Sequence, residues 1–238
     1  GVDALHLNVE LGPFSYLAAY AVLGYERGSE LEPEDPVDLA QSSLLGRAVT
    51  SVGSFEVSLL GGVVADRLVV GGGLQGEVFE WLGVRAEGHA KLDEDPGETR
   101  ELLLSVGVEH RFDSSLFLLA EYYFNGAGAA RVGEYLSTLQ RGLGDLPYLG
   151  QHQVGAGASY ELTPLLTGSL RVLANLVDGS MLLAGYAEYS LLDDAELAVS
   201  LSAPLGEGPS TPGPLAPSVP TEYGLYPFAA SLELRAYF

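Results

Sequence analysis

The sequence predicts an all-β chain that forms an antiparallel up-and-down transmembrane β-barrel with about 12 to 14 strands, as part of a larger barrel. Three observations support this prediction. Apolar and polar residues alternate in one segment after another, and the connections between these segments alternate between short and long. In addition, apolar runs such as 116–120 fall far below the roughly 18 residues that a membrane-spanning helix needs.

The period-two alternation is clearest at the C-terminal end of the sequence. In residues 228–238, apolar and polar side chains fall on opposite sides of an extended strand. Each such segment is roughly 8 to 12 residues long, close to the length of a tilted transmembrane strand. The same alternation recurs in residues 5–11, 55–59, 82–91, 101–111, 118–125, 153–161, 168–175, 183–190 and 197–203, and residues 14–25, 43–52 and 68–75 resemble strands whose facing the pattern leaves open.

Connection lengths predict the orientation of the strands. Short links alternate with loops at 26–42, 92–99, 126–148 and 205–224, which we predict to be extracellular because barrels of this class have short periplasmic turns. Two predicted outer links, near 65–67 and 177–180, are short as well, so the alternation is imperfect. We treat residues 1–238 as one β-barrel domain. Counting back from a periplasmic C-terminus places residue 1 at the extracellular end. An intact bacterial barrel has an even number of strands and two periplasmic termini, so we expect this to be the C-terminal portion of a larger barrel.

Composition argues against several functional classes. With a net charge of −21, the chain is a poor electrostatic partner for nucleic acid. It has no cysteine, and its four histidines lack the spacing of a metal site. The stretch GGGLQG at 71–76 matches a dinucleotide-binding fingerprint by letters alone, because it falls within strands and no helix follows it. We therefore expect no enzyme activity, no cofactor and no nucleic-acid partner.

A soluble β-sandwich is the main alternative, since its strands also have one apolar face. A sandwich buries that face between two sheets and has no need for aromatic residues at the strand ends. Here aromatic rings cluster near the predicted strand ends, which is typical of the two interfacial girdles of a membrane barrel. These rings are Tyr25, Phe55, Trp81, Phe112, Phe124, Tyr148, Tyr160, Tyr189, Tyr226 and Phe238.

The final residues, LELRAYF, resemble the C-terminal recognition signal of Gram-negative outer-membrane proteins, with Tyr237 and Phe238 at its end. That resemblance implies insertion by the barrel-assembly machinery into the outer membrane. The segments GVDALHLNVELGP, LLAEYYFNGAGAA and GASYELTPLLTGSLRVLANLVDGS are similar to the C-terminal half of uncharacterised porin-like proteins loosely related to alginate-export barrels. This second resemblance implies a passive channel, with no catalytic residues to carry over.

The polar sides of the predicted strands are the candidate channel lining. Acidic residues outnumber basic ones there, so we expect a porin-like passive channel for small hydrophilic solutes or ions that weakly prefers cations. A salt-bridged, hydrated wall without selectivity is the simpler interpretation, and a plugged structural or surface-binding scaffold is the second functional hypothesis. The predicted lining residues are Glu56, Arg85, Glu87, His89, Lys91, Glu109, Arg111, Glu121, Arg171, Glu188, Glu233 and Arg235.

Two predicted outer loops carry further features. In 131–141, Val132, Leu136 and Leu139 have helical spacing, which predicts a short helix folded over or into the pore. The acidic loop 26–42 is a candidate for bridging lipopolysaccharide through divalent cations, although a solvated charge run is the simpler interpretation. The expected partners are therefore outer-membrane lipid and lipopolysaccharide, the assembly machinery and the transported solutes.

Overall fold

A computed structural model describes residues 3–25, 37–92, 101–142, 148–210 and 218–237. These residues form a single antiparallel sheet whose 13 strands follow one another in sequence order. The predicted all-β, up-and-down architecture and strand number are confirmed at this level. The strands are β1 (Ala4–Gly12), β2 (Ser15–Tyr25), β3 (Val37–Val52), β4 (Phe55–Val64), β5 (Arg67–Val78), β6 (Leu82–Leu92), β7 (Glu101–Arg111), β8 (Phe117–Asn125), β9 (His152–Thr163), β10 (Leu166–Asn175), β11 (Met181–Leu192), β12 (Ala195–Leu205) and β13 (Ala229–Ala236).

Helical structure is confined to the connections. A 3₁₀ turn at Val132–Glu134 leads into helix α1 (Tyr135–Gly142) between β8 and β9, and a second 3₁₀ turn lies at Tyr223–Leu225 before β13. The predicted helix in 131–141 is thus confirmed. In the described part of the chain, no helix has the length and apolar character needed to cross a membrane.

The chain divides into two compact units. The first comprises residues 1–80 and 84–104, and the second comprises 81–83 and 105–238. In the first unit, the pairing of β1 to β5 fixes the facing that the sequence pattern left open. Leu7, Ala19, Gly46, Gly61 and Val70 lie opposite one another across five strands. We call their side the apolar face and the opposite side the polar face.

In the second unit, register likewise defines an apolar face and a polar face. Leu118, Ala158, Leu170, Gly185 and Leu201 form one row across β8 to β12, on the apolar face. The neighbouring row on the polar face consists of hydroxyl-bearing side chains: Ser159, Ser169, Tyr186, Ser200 and Ser231.

Apolar side chains are exposed rather than packed into a core. In β7, the burial pattern alternates residue by residue, and Leu102, Leu104, Val106 and Val108 are its exposed members. Leu232 in β13 is 71% exposed. Among the described residues, a buried hydrophobic cluster lies outside the strands and consists of Ala129, Tyr135 and Leu149. The apolar faces of the strands are therefore not the inner layer of a sandwich core, which would bury them between two sheets.

The turns at the predicted short links are tight. Ala65 and Asp66 have φ angles of 45° and 69°, and they join β4 to β5 between the paired residues Val64 and Arg67. Positive φ at both central residues is the conformation of a two-residue hairpin turn whose twist suits the flanking strands. The predicted short connection near 65–67 is therefore confirmed.

The predicted loop 26–42 differs from the structure at its C-terminal end. Residues 26–36 lie outside the described residues, but β3 already begins at Val37. A bulge lets the polar segment remain in the ladder: the Gly24 amide donates to Ser42 Oγ at 3.0 Å, and the Ser42 hydroxyl donates to the Asp38 carbonyl at 2.9 Å. At the bulge, these side-chain hydrogen bonds take the place of backbone hydrogen bonds between the strands. The polar composition of the segment alone does not indicate that it continues a strand.

Candidate functional site

The polar face of the first unit carries five of the predicted lining residues. Glu56 on β4 accepts a hydrogen bond from Gln75 on β5 at 3.3 Å. Arg85, Glu87, His89 and Lys91 alternate along β6, and Lys91 forms an ion pair with Glu101 of β7 at 2.7 Å. The expected alternation of ionisable residues on this face is therefore present along β6.

Glycines of β5 make space for the β6 side chains. A Cβ atom at Gly71 would lie 2.8 Å from Cβ of His89, which is too close for any other residue at this position. A Cβ at Gly73 would lie 3.6 Å from Cβ of Glu87. The GGGLQG stretch thus lies within β5, as the sequence pattern predicts, and β6 packs beside it.

The polar face of the second unit carries the other predicted lining residues. Arg235 on β13 pairs with Glu233 on the same strand at 2.9 Å and with Glu188 on β11 at 3.3 Å. The guanidinium of Arg111 lies 5.1 Å from the centre of the Phe117 ring, a cation–π distance. The remaining predicted residues, Glu109 of β7, Glu121 of β8 and Arg171 of β10, lie on these strands.

A groove of about 590 Å³ lies beside the row of hydroxyl groups. Arg171 and Tyr186 border it, and small residues such as Ser169, Ser200 and Ser202 form most of its lining. Serine and alanine leave the space open, and the hydroxyls keep it wettable. The groove therefore combines a few hydroxyl groups with a larger share of apolar surface, to which small residues such as Ala184 and Ala230 contribute.

The predicted C-terminal signal lies partly within the described structure. The Tyr237 amide donates to the Asp194 carbonyl at 2.9 Å, and its hydroxyl donates to Glu196 Oε2 at 3.2 Å. Both acceptors lie at the short turn between β11 and β12 or next to it. Phe238 lies outside the described residues.

A cluster of loop residues packs at the opposite ends of the strands from this turn. We call it the loop cluster and define it as residues 126–142, 148–151, 176–180 and 218–226. At its centre, Glu222 is only 2% exposed. Its Oε1 accepts from the Leu149 amide at 2.9 Å. Its Oε2 accepts from the Gly150 amide at 2.9 Å, from Gln153 Nε2 at 2.8 Å and from Asn175 Nδ2 at 2.7 Å.

A second carboxylate, Asp178, completes the network. Asp178 Oδ2 accepts hydrogen bonds from the Tyr135 hydroxyl and from the Glu222 amide, both at 2.7 Å. The Tyr135 hydroxyl also accepts from Asn175 Nδ2 at 2.7 Å. Among the described residues, no buried side-chain nitrogen or oxygen is left without a partner. Satisfied networks of this kind are rigid because each member fixes its neighbours.

Burial sets the protonation behaviour of the loop cluster. It raises the pKa of Glu222 above the usual carboxyl value, and the nearby charge of Asp178 adds to this effect. The two backbone amides and Gln153 oppose the shift by stabilising the carboxylate. Burial also raises the pKa of Tyr135 and of Tyr223 far above the usual phenol value, so both phenols stay protonated at neutral pH.

The loop cluster rests on the polar side of the strands. Gln153 and Asn175 face each other in register on β9 and β10, on the same side as Ser159 and Ser169. Tyr123, which pairs with Gln153, packs its ring 5.4 Å from that of Tyr148. The loops therefore fold onto the polar face and leave the apolar face uncovered at this position.

Two details differ from the sequence predictions. The predicted helix stripe contained Val132, Leu136 and Leu139, but Val132 is exposed and the buried side chains of the segment are Tyr135 and Thr138. Tyr135 contacts the polar network through its hydroxyl and belongs to the small apolar cluster with Ala129 and Leu149, against which Leu139 of the predicted stripe packs. Tyr148 and Tyr226 likewise belong to the loop cluster, where Tyr148 packs on Tyr123, rather than to a ring of aromatic strand ends.

Sequence reasoning missed Glu222 because it lies in the predicted outer loop 205–224, outside the alternating pattern of the strands. The available signal was at the strand ends. Asn125 ends β8 and Asn175 ends β10; both are fully buried, and the side chain of each accepts from the amide two residues on. Such turns begin ordered loops, so two of them predict that the following segments have a fixed conformation.

No protein-family model, curated protein or solved structure matches this chain. Its function must therefore be argued from its own residues. Within the described ranges, no three His, Asp or Glu side chains come together as a metal site.

Proposed function

We propose that this chain belongs to a porin-like β-barrel of the Gram-negative outer membrane and forms a passive channel for small hydrophilic solutes. The observation that supports it best is the contrast between the two faces of the strands. One face exposes leucine and valine, as the lipid-facing side of a membrane strand does. The other carries ionisable and hydroxyl groups, which need water.

Closure of such a barrel sets one condition. Successive antiparallel strands alternate in direction, so β1 and β13 of a 13-stranded sheet run the same way. A barrel that is antiparallel throughout therefore needs an odd number of strands in addition to these 13. The proposal includes at least one further strand, which pairs with the free edges of β1 and β13.

The charge of the polar face suggests a weak preference for cations. Its acidic residues outnumber its basic ones, and several of the basic groups, such as Lys91 and Arg235, are neutralised by ion pairs. Acidic rings attract cations into a pore. Outer-membrane lipid, lipopolysaccharide and the barrel-assembly machinery are the partners that this location implies.

Planar-bilayer recording of the full-length protein tests the channel. We expect stepwise currents that continue without added cofactor. Unboiled protein should also migrate faster than boiled protein on a gel, and only when refolded in detergent. A cooperatively folded, monodisperse protein in plain buffer would contradict the membrane location.

A plugged scaffold is the second candidate, and the loop cluster favours it. The loops cover part of the polar face and form a rigid hydrogen-bonded network. A scaffold predicts the same gel behaviour but almost no current, so the bilayer recording separates the two functions.

A further inference from the structure

We propose that Glu222 is a positioning residue that holds helix α1 over the polar face and thereby sets the width of the channel mouth on the loop side. The first half of this proposal concerns the loop cluster alone. The second half rests on the channel function proposed above.

Glu222 connects segments that are far apart in sequence. The hydrogen-bond donors to Glu222 come from the backbone that follows α1, from the start of β9 and from the end of β10. Gly150, for example, lies 72 residues away along the chain. One carboxylate thus fixes the loop between β12 and β13 against the loop between β8 and β9.

The carboxylate of Glu222 connects to the helix through the side chain of Asn175. Asn175 Nδ2 donates both to Glu222 Oε2 and to the hydroxyl of Tyr135, the first residue of α1. The backbone of Glu222 also meets the helix indirectly, because its amide and the Tyr135 hydroxyl share Asp178 Oδ2. Removing the Glu222 carboxylate therefore weakens the attachment of the helix as well as that of the loop.

The arrangement points to positioning rather than to ligand binding. Oε2 of Glu222 already accepts three hydrogen bonds, and Oε1 accepts one from a backbone amide. The residue is almost completely buried. No oxygen is directed at open space where a metal ion or solute could sit.

The position of helix α1 above the polar face would affect transport through the channel. Gln153 and Asn175 are polar-face residues at the loop ends of their strands. In a barrel, the polar face lines the lumen, so a helix fixed above it narrows the opening. When the attachment is lost, the helix should move away or fluctuate, and the opening should widen.

Hydrogen exchange of the full-length protein tests the first half directly. In Glu222→Ala, the amides of Leu149 and Gly150 lose a charged acceptor, and we expect both to exchange about tenfold to a hundredfold faster. In Glu222→Gln, the carbonyl can stay at the Oε2 position, so we expect faster exchange at Leu149 and little change at Gly150. Glu207→Ala is the matched control, since this exposed glutamate in the same loop contributes only its backbone carbonyl, to Thr221. Unchanged exchange in Glu222→Ala would overturn the proposal.

Tyr135→Phe provides a milder variant if Glu222→Ala fails to fold. It removes only the hydroxyl between Asn175 and Asp178 and keeps the ring. We expect faster exchange in α1 with the strands unaffected. Protection of α1 equal to that of the unmodified protein would count against the attachment.

Single-channel recording of the same variants tests the second half. We expect a larger or noisier open conductance in Glu222→Ala and Tyr135→Phe than in Glu207→Ala. If the unmodified protein carries no current, the channel function fails, while the exchange data still decide the role of Glu222. If exchange rises but conductance stays the same, the loop cluster does not set the channel width.

Discussion

Gly150 lies close to the side chain of Asn175, the last residue of β10. A Cβ atom there would overlap the side-chain amide of Asn175, the group that joins Glu222 to Tyr135. We therefore expect Gly150→Ala to destabilise the loop cluster by about 1–3 kcal/mol, the usual cost of overpacking. Gly185→Ala is the control, because a Cβ at Gly185 meets nothing within 4 Å. Denaturant unfolding monitored in the loop cluster checks this, and equal stability of the two variants would contradict it.

Glu222 also predicts the pH dependence of the loop cluster. Among the described residues, four ionisable groups face Glu222. The charge of Asp178 raises the pKa of Glu222, and the phenols of Tyr135, Tyr148 and Tyr223 remain neutral. Burial raises the pKa of Glu222 in the folded state above its value in the unfolded chain, so the folded state favours the protonated carboxyl. The resulting contribution to folding stability is complete at pH values below the unfolded-state pKa. It is lost as the pH rises through the folded-state pKa. Loop-cluster protection, corrected for intrinsic exchange, should therefore fall as the pH rises above the usual carboxyl range. Glu222→Gln should remove this dependence, and protection that increases with pH in the unmodified protein would refute it.

Single residues differ in how well the sequence predicted them. Side chains such as Glu87 and Arg235 were assigned to the polar side because strand periodicity is local and needs no knowledge of the partner strand. Glu222 could not be found in this way, since its four donors lie between 47 and 73 residues away along the chain and no local pattern encodes that meeting.

At the level of elements, period two predicted the strands but not all their ends. β3 begins within the predicted acidic loop because Ser42 and Asp38 supply hydrogen bonds that a polar composition hides. Helix α1 was predicted from apolar spacing, yet its buried face is Tyr135 and Thr138. Leu139 of the predicted stripe does pack against the apolar cluster, but the hydroxyl of Tyr135 also joins a polar network, so apolar spacing alone does not identify the whole buried face.

Strand β12 gives a direct test of which side meets lipid. Leu201 lies on the apolar face and is 50% exposed, while its neighbour Ser202 points to the polar face. In a bilayer, we expect Leu201→Arg to cost about 2–4 kcal/mol of unfolding free energy and Ser202→Arg to cost much less. Urea unfolding from lipid vesicles measures both. If Leu201→Arg is tolerated as well as Ser202→Arg, the apolar face does not contact hydrocarbon.

At the level of the whole molecule, acidic residues prevail, with 32 Asp and Glu against 11 Lys and Arg. Charge of one sign attracts counter-ions only over the screening distance, which is about 10 Å at 0.1 M salt and about 3 Å at 1 M. A wide pore should therefore select by charge only in dilute salt. This argument concerns the lining as a whole and does not depend on any single ion pair.

Reversal potentials across a KCl gradient test this last expectation. Near 0.1 M salt, the full-length protein should pass K⁺ more readily than Cl⁻, and the preference should nearly vanish near 1 M. Glu87→Gln removes a negative charge from the polar face of β6 and should reduce the preference. Asp66→Asn removes the same charge from the exposed β4–β5 turn, where asparagine tolerates the positive φ, and should leave the preference unchanged. A chloride preference, or equal effects of the two variants, would mean that the charges of the polar face do not line the conducting path.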